Sequence, residues 1–342
     1  MPAYKIAFMG FRHPHLLAAY ELIKNHPRLA IAACCEEDAA TRKKLAAEGR
    51  IRVTHESFEA MLREVDFQIL VAGDVFGERG GVAARALEAG KHVLSDKPIC
   101  TTLEDLSRLE ALLRQRPLAF GAMLDLRDSG ALLGARDLIR RGEIGDLRAA
   151  GFGGQHPLLL GQRPEWYFEP EKHGGTLNDL AIHALDFLIW VTGQRPARLN
   201  AARSWSTAPP GRPGFRNAAQ LMLTMENGCG VLGDVSYLSP DSFGYGFPLY
   251  WRFTFWGTAG VIEAGYNSER IALYREGERE TRLLPAPQSR PGGYLESFLR
   301  EIEGRPLAGD LTTRQVLACT RLCLRIQEAA DKELGSISLA EP

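Results

Sequence analysis

The stretch "IAFMGFRHPHLLAAY", Ile6–Tyr20, decides the expected fold of the first part of the chain. It reads as a short apolar strand, a sharp turn at Gly10 and a helix, which is the layout of a dinucleotide-binding loop. Such loops usually carry three glycines, whereas Arg12 and His15 stand here where the second and third are expected. The stretch therefore indicates a phosphate-binding turn, with a purely structural turn as the alternative.

The segments that follow continue this pattern as far as about residue 122. Short apolar runs alternate with amphipathic segments, which predicts right-handed βαβ units and a parallel sheet buried on both faces. "SFEAMLREV" begins with a serine that is expected to cap its helix. Six strands are expected, in the runs "YKIAFMG", "LAIAACC", "IRVTH", "FQILVAG", "HVLSDKP" and "PLAFGAML".

The pattern of apolar and polar residues changes after about residue 122. One helix, "SGALLGARDLIRRGEIG", precedes longer strands that are separated by turns, and an amphipathic helix follows near the end. This pattern predicts an α+β domain with a large, mainly antiparallel sheet. Because 342 residues exceed what one hydrophobic core usually serves, we expect two domains, residues 1–121 and 122–342. The expected strands of the second are "LRAAGFGG", "ARLNAARSWST", "NAAQLMLTME", "GCGVLGDVSY" and "YWRFTFWGTAG".

Composition excludes several classes of protein. The formal net charge is −1, so no global charge attracts nucleic acid or an anionic membrane. The apolar stretch "ALDFLIWVTG" contains Asp186 and is too short to span a bilayer, and no charged leader precedes the first strand. The six cysteines form no C-x-x-C pair, which is typical of reduced, buried thiols. We therefore expect a cytoplasmic protein without a structural zinc site.

The first set of candidate residues concerns a dinucleotide. Gly10 lets the backbone approach a pyrophosphate, and Arg12 either crowds that group or meets it with its guanidinium. Glu36 follows the second strand, where a carboxylate can accept hydrogen bonds from ribose hydroxyls, although acidic residues there also favour the next helix. A 2′-phosphate would be repelled by Glu36, so NAD is expected and NADP is less favoured.

A second set of candidates concerns the chemistry. Lys97 and Pro98 stand at the end of a strand, where open parallel sheets bind their ligands. Asp179 and His183 are four residues apart and share one helical face, so they form a plausible acid–base pair. The alternative is a capping aspartate with a buried structural histidine.

The "HPH" stretch at 13–15 raises the question of a metal ion. Two histidines at this spacing do not share a helix face, and no third ligand follows nearby. We therefore expect His13 and His15 to be loop and helix-cap residues, and we expect no metal site.

Together these segments resemble the glucose–fructose oxidoreductase, inositol dehydrogenase and MocA family over nearly the whole chain. "ALEAGKHVLSDKP" is similar to the family's A-x-x-A-G-K-H-V-x-x-E-K-P stretch, with Asp96 in place of glutamate. "RDSGALLGARDLIRRGEIGDL" places Arg127 before a helix ending in G-x-I-G. "EWYFEPEKHGGTLNDLAIHALDFLIWVTG" is similar to the family's aromatic pair, glycine run and D-x-x-x-H-x-x-D helix, and "WRFTFWGTAGVIE" to its strand and G-T-x-G turn.

The resemblance implies a fold, an activity and an assembly. The fold is a doubly wound Rossmann domain followed by an α+β domain whose open sheet forms a homodimer or homotetramer interface. The activity is reversible NAD(P)-dependent oxidation of a secondary alcohol on a sugar, cyclitol or related compound. The chain departs from the family at "VAGDVFGERG", where T-P and a following histidine are absent and Asp74 stands nearby.

The resemblance also implies the site residues. The catalytic group is Lys97, Asp179 and His183. By the resemblance, Gly10 and Glu36 are cofactor-binding residues, and we also expect the cofactor to be bound by Phe11, Arg12, His13, Asp74, Lys97 and Pro98. The substrate-binding residues are Lys97, Arg127, Trp166, Tyr167, Asp179 and His183.

Two readings compete with a dehydrogenase. A regulator that binds a nucleotide or sugar without catalysis is favoured by the missing glycines and opposed by the retained Lys97, Asp179 and His183. A glycosidase that keeps its NAD bound is the other alternative. A homo-oligomer built on the sheet of the second domain is expected, because Tyr250 and Trp256 of the "YWRFTFW" strand need cover.

Overall fold

The computed structural model describes residues 3–340, which form two compact units. The first unit contains the chain up to Met123, together with Glu171–Gly174 and Tyr294–Thr320. The second contains Leu124–Pro170, Gly175–Gly293 and the chain from Arg321 onward. A segment late in the sequence therefore belongs to the first unit, whereas the sequence division places it in the second.

The first unit is built on a sheet of five parallel strands in the order β2-β1-β3-β4-β5. This order confirms the doubly wound α/β fold. The strands are β1 (Tyr4–Met9), β2 (Leu29–Cys35), β3 (Ile69–Ala72), β4 (His92–Ser95) and β5 (Phe120–Ala122).

Helices alternate with these strands as the sequence predicts. Side-chain caps begin three of the helices, since Asp38, Ser57 and Thr102 accept from backbone N–H groups three residues on, at 2.7, 3.2 and 3.0 Å. The expected cap at Ser57 is therefore confirmed. The helices are α1 (His15–Lys24), α2 (Ala39–Glu48), α3 (Phe58–Glu64), α4 (Phe76–Glu88) and α5 (Leu103–Gln115).

The segment "IRVTH" is not a strand, so the prediction of six strands was wrong. It contributes one isolated bridge, between Cys35 and His55, beside the edge strand β2. Ile51 is buried and Val53 is partly buried against the core of the first unit, and two apolar anchors are few to fix the alternation of a strand.

The second unit is built on a nine-stranded sheet in the order β13-β12-β11-β10-β6-β9-β8-β7-β14. The pair β6–β9 is parallel and the other neighbours are antiparallel, which confirms the mainly antiparallel α+β domain. The sequence predicts β6–β10 and misses the last four strands. The strands are β6 (Leu147–Pro157), β7 (Pro196–Trp205), β8 (Ala218–Met225), β9 (Gly230–Ser239), β10 (Trp251–Gly257), β11 (Gly260–Gly265), β12 (Arg270–Arg275), β13 (Arg282–Pro285) and β14 (Ile337–Ser338).

The remaining helices follow β5 along the chain. Among residues 3–340, no helix is long and apolar enough to cross a membrane. These helices are α6 (Gly130–Arg140), α7 (Pro170–His173), α8 (Ile182–Thr192), α9 (Gly293–Ile302) and α10 (Thr313–Asp331).

The helix α9 completes the hydrophobic core of the first unit. Its residues Leu295, Phe298 and Leu299 are buried in one cluster with the apolar side chains of β1, β2 and α1. The fit is close, because a Cβ atom on Gly121 of β5 would lie 2.8 Å from the ring of Phe298. The first unit therefore depends on a segment that lies 170 residues beyond its last strand in the sequence.

Candidate active site

The turn after β1 has the geometry expected of a phosphate-binding loop. Gly10 has a φ of +81°, and a Cβ atom there would lie 2.6 Å from the Cβ of Asp74. A side chain is therefore excluded both by the backbone conformation and by space. The helix α1 begins a few residues later, so its N-terminus faces this turn. These features fit a dinucleotide pyrophosphate.

Glu36 lies at the end of β2 and is fully buried. Its Oε2 accepts the backbone N–H of Phe11 at 2.5 Å, and its Oε1 accepts the N–H of Asp38 at 2.8 Å. Burial raises the pKa of Glu36 although these two hydrogen bonds lower it. The carboxylate therefore fixes the turn, and a carboxylate has further lone pairs for ribose hydroxyls.

Arg12 and Asp74 form an ion pair between the turn after β1 and the turn after β3. Asp74 is buried, whereas the Arg12 side chain is partly exposed. The Arg12 guanidinium thus stands beside the turn in the position where most such loops have a glycine. Phe11, in contrast, turns its ring into the core against Phe8.

A buried network surrounds Asp96, the residue before Lys97. The Nδ1 atoms of His13 and His15 donate to its two oxygens at 2.7 and 2.9 Å, and Arg79 donates at 2.6 Å. The backbone N–H of Lys97 adds a fourth hydrogen bond at 2.7 Å. Burial raises the pKa of Asp96, but Arg79 and the histidines outweigh burial and hold that pKa well below its usual value.

This network corrects the expectation for the "HPH" stretch. His15 contacts Asp96 instead of capping α1, and the sequence-distant Asp96 supplies the third group that the local sequence lacks. Ligand-type atoms of His13, His15 and Asp96 lie within 4.8 Å of one another. The guanidinium of Arg79 on the same carboxylate favours a hydrogen-bonded network over a metal ion, because its charge would repel a cation.

Lys97 is 4% exposed and lies at the end of β4, as the sequence predicts. The buried Arg79 donates its Nη1 to the carbonyl oxygens of Lys97 and Pro98, at 2.5 and 3.1 Å. Arg79 therefore holds this turn through its carbonyls while it pairs with Asp96. Arg79 is not among the site residues expected from the sequence.

In the second unit, the predicted helix with Asp179 and His183 begins with a π-helical turn, Leu177–Ala181, and continues as α8. Such turns are frequent at functional sites. The spacing of four residues between Asp179 and His183 therefore crosses the junction between two helix types.

The carboxylate of Asp179 is bound by two tyrosines. The Tyr167 hydroxyl donates to its Oδ2 at 3.0 Å, and the Tyr237 hydroxyl donates to the same oxygen. Burial, together with Asp179, raises the pKa of both phenols well above their usual value. The phenols therefore remain hydrogen-bond donors across the physiological pH range.

Arg163 adds a positive charge to this cluster. Its guanidinium lies 4.4 Å from the ring centre of Tyr167, and its Nη2 donates to the Tyr245 hydroxyl at 2.9 Å. Burial lowers the pKa of Arg163, but the nearby tyrosines and Asp179 outweigh it. Trp166 packs beside Tyr167, with ring centres 5.5 Å apart. The cluster offers several donors and a carboxylate for a polyhydroxylated ligand.

His183 is 6% exposed, and its ring centre lies 5.8 Å from that of Trp251. Its Nδ1 is 3.6 Å from Oδ1 of Asp125, just beyond hydrogen-bond distance. Asp125 follows β5 and was not singled out in the sequence. The structure therefore places two tyrosines on the Asp179 carboxylate and Asp125 beside the imidazole, and the pair of Asp179 with His183 stays a prediction.

Arg127 forms a two-point ion pair with Asp186 of α8. Its Nε and Nη2 donate to the two carboxylate oxygens at 2.7 and 2.6 Å. The pair is buried, so it joins the turn after β5 to α8. Substrate binding by Arg127 stays a prediction.

Two family models match the chain. The model of the oxidoreductase family, NAD-binding Rossmann fold, matches residues 5–122, and the GFO/IDH/MocA C-terminal domain matches residues 132–263. Together the two matches span more than half of the chain. The chain belongs to the GFO/IDH/MocA oxidoreductase family. The resemblance stated from the sequence is thereby confirmed, and the first unit contains the family's NAD-binding domain.

Relatives and solved structures agree with this family. The dTDP-3,4-didehydro-2,6-dideoxy-alpha-D-glucose 3-reductase of Saccharopolyspora spinosa is 28% identical over 289 residues, 80% of this chain and 79% of that protein. The 1,5-anhydro-D-fructose reductase of Ensifer adhaerens is 36% identical over 115 residues, 33% of this chain and 34% of that protein. The chain spans about half or less of the length of the first curated relatives that it matches. A solved structure from Thermotoga maritima is 26% identical, has a TM-score of 0.83, and the match covers 98% of this chain and 99% of that one.

Proposed function

We propose that the protein is an NAD-dependent oxidoreductase that transfers hydride reversibly between NAD and a secondary alcohol of a sugar, cyclitol or related polyol. The observation that carries this proposal is the cluster of Asp179, Tyr167 and Tyr237, whose oxygens match the hydroxyls of such a ligand. Two of the relatives are named as reductases of sugar compounds. The bound nicotinamide supplies the hydride acceptor.

The first unit binds the cofactor in this proposal. Gly10 leaves room for the pyrophosphate, Glu36 accepts from the adenosine ribose, and Lys97 donates to the reacting oxygen. Its ammonium stabilises the alkoxide charge that develops as hydride leaves. The other contacts come from Phe11, Arg12, His13 and Pro98, and Asp74 lies beside them as the partner of Arg12.

The second unit binds the substrate and takes its proton. His183 is the base, because an imidazole with a usual pKa of about 6.5 suits proton transfer near neutral pH. Asp125 lies on the Nδ1 side of the ring, and in this proposal Nε2 accepts the hydroxyl proton. Asp179 orients a neighbouring substrate hydroxyl, and Trp166, Tyr167 and Arg127 complete the substrate contacts.

The test is a screen of sugars, cyclitols and polyols with NAD, followed by kinetics of K97A and H183A on the best substrate. Each variant is expected to lower turnover by about 10² to 10⁴ and to leave the Kd for NADH nearly unchanged. K5A is the matched control, because Lys5 is an exposed lysine of the first unit paired with Asp66. Wild-type turnover in both K97A and H183A would refute the assigned roles.

The same screen separates the competing functions. Net formation of NADH supports the dehydrogenase. Sugar release without net NADH supports a glycosidase that retains NAD, and ligand binding without any turnover supports a regulator.

We also propose a homodimer or homotetramer built on the open face of the second unit's sheet. Leu232 is 63% exposed there and Trp256 43% exposed, beside a groove of about 720 Å³ that Arg203 and Arg252 also line. Tyr250 does not share this face, because its ring packs on His156 at 4.6 Å.

The cellular location is a further proposal. We infer a cytoplasmic protein, and the support is that all six cysteines are buried and form no disulfide. Fractionation of the native host followed by immunodetection tests this location.

A further inference from the structure

The turns after β1 and β3 meet where the strand order of the first sheet reverses. These two strands are neighbours, with Met9 opposite Ala72, while β2 lies on the far side of β1. Open α/β sheets bind ligands outside the carboxyl ends of the strands at this point. Arg12 and Asp74 follow these two strand ends, so both residues stand at the position where the cofactor's diphosphate is expected.

The backbone at Asp74 is held in an unusual conformation. Its φ is 82°, which a residue other than glycine rarely adopts. Its Oδ1 accepts the N–H of Val75 at 2.7 Å and pairs with Arg12, and its carbonyl accepts from Arg79 at 3.2 Å. This carboxylate is therefore fixed in place, whereas the Arg12 side chain is partly exposed.

The charges around Arg12 are mostly negative. The carboxylates of Asp74, Glu36 and Glu78 all act on its guanidinium, and they raise its pKa above the usual value although burial opposes them. An anionic diphosphate placed among these acids needs a cation, and a guanidinium matches phosphate oxygens with two hydrogen bonds. Arg12 is suitably placed to provide it.

We propose that Arg12 and Asp74 form a clasp in which Arg12 exchanges the carboxylate for the cofactor's diphosphate. This inference rests on the proposed NAD-dependent function. Asp74 competes with the diphosphate for the same guanidinium and thereby lowers the affinity for the dinucleotide. Arg12 stands in place of a family glycine, and Asp74 stands in the altered stretch after β3. These two departures from the family pattern thus act together as a pair.

The test uses D74N and R12Q in the full-length protein. Asparagine tolerates a positive φ and keeps an oxygen for the Val75 N–H, so D74N removes the charge with little strain. Binding is measured by calorimetry with ADP-ribose, which carries the diphosphate, and with adenosine, which lacks it. D66N is the control, because it breaks the exposed Lys5–Asp66 pair in the same unit with the same change of charge.

The clasp predicts a specific pattern of affinities. D74N binds ADP-ribose about three- to tenfold more tightly, R12Q binds it about tenfold more weakly, and adenosine affinity and D66N show neither effect. In the double variant R12Q/D74N, the D74N change no longer tightens the binding of ADP-ribose, because the guanidinium with which Asp74 pairs is absent.

Four results overturn the clasp. If D74N still tightens binding in the R12Q background, Asp74 acts by repulsion alone. If R12Q tightens binding, Arg12 obstructs the site. If wild type and variants bind neither ADP-ribose nor NADH, the clasp and the proposed function both fail, whereas NADH binding that is indifferent to D74N refutes the clasp alone.

Discussion

The buried histidine beside Asp96 makes the protein sensitive to mild acid. His13 is nearly fully buried, and burial, together with His15, lowers its pKa to about 3. A histidine in the unfolded chain has a pKa of about 6.5. Between these two values the unfolded chain binds a proton at this position and the folded chain does not. The stabilising effect of His13 is therefore complete above pH 6.5 and is lost as the pH falls towards 3.

The size of the effect follows from the two pKa values. A difference of one proton changes the free energy of unfolding by about 1.4 kcal/mol per pH unit. Integrated from pH 7 to pH 5, His13 removes about 2 kcal/mol of stability, a substantial part of the total for a typical domain. Asp96 does not add to this loss in the same interval, because its own pKa is held well below the usual value.

The measurement is urea unfolding of wild type and H13N at pH 7, 6 and 5. Asparagine offers an N–H to Asp96 near the position of Nδ1 and has no proton to gain. H13N is less stable at pH 7, but from pH 7 to pH 5 it loses about 2 kcal/mol less than wild type. H55N is the matched control, since His55 is a less buried histidine of the same unit, and it keeps the wild-type loss. Equal losses in H13N and wild type would refute the argument.

Three other predictions follow from the described contacts. Y237F removes a hydroxyl that donates to the buried Asp179 and is expected to lower the free energy of unfolding by about 2 kcal/mol in urea, whereas Y245F, which alters an exposed phenol, loses less than about 1 kcal/mol. E36Q removes the negative charge at the end of β2. The ratio of the Kd for NADP to the Kd for NAD, measured by calorimetry, is expected to fall about tenfold. An unchanged ratio would contradict the role of Glu36. L232E places a charge on the open sheet face and is expected to reduce the mass measured by light scattering towards that of one 37.7 kDa chain. If the wild-type protein already has the mass of one chain, the proposed oligomer is wrong.

Much of the fold could be predicted because its signals are local. The strand, Gly10 and helix after it follow from periodicity and from a conformation that favours glycine. Because a helical segment separates each strand from the next in β1 to β5, only a few topologies are possible for the first sheet. The error at "IRVTH" arose because Ile51 and Val53 alternate as in a short strand, although the segment forms only one isolated bridge.

The candidate site could be predicted only in part, because partners that are distant in sequence decide its hydrogen bonds. Local spacing predicts that Asp179 serves His183, which stays a prediction, but it does not show that Tyr167 and Tyr237 from other elements bind the same carboxylate. Asp125 could not be assigned to the imidazole from sequence. These pairings depend on tertiary packing that no local pattern encodes.

Arg79 is different, because a signal for it was present in the sequence. It stands three residues after Phe76 and four before Ala83, the spacing of one helix face, and all three are buried. An arginine on an apolar helix face needs a carboxylate partner, and Asp96 provides it.

The place of α9 in the first unit has a consequence for biosynthesis. The ribosome releases Met123 long before Leu295 and Phe298, at ordinary rates roughly ten to thirty seconds earlier. During that interval the nascent sheet lacks the side chains that close its core, so its apolar face is open to chaperones and to other nascent chains. The part of the protein that is made first is therefore the part that cannot finish folding until most of the chain has been translated.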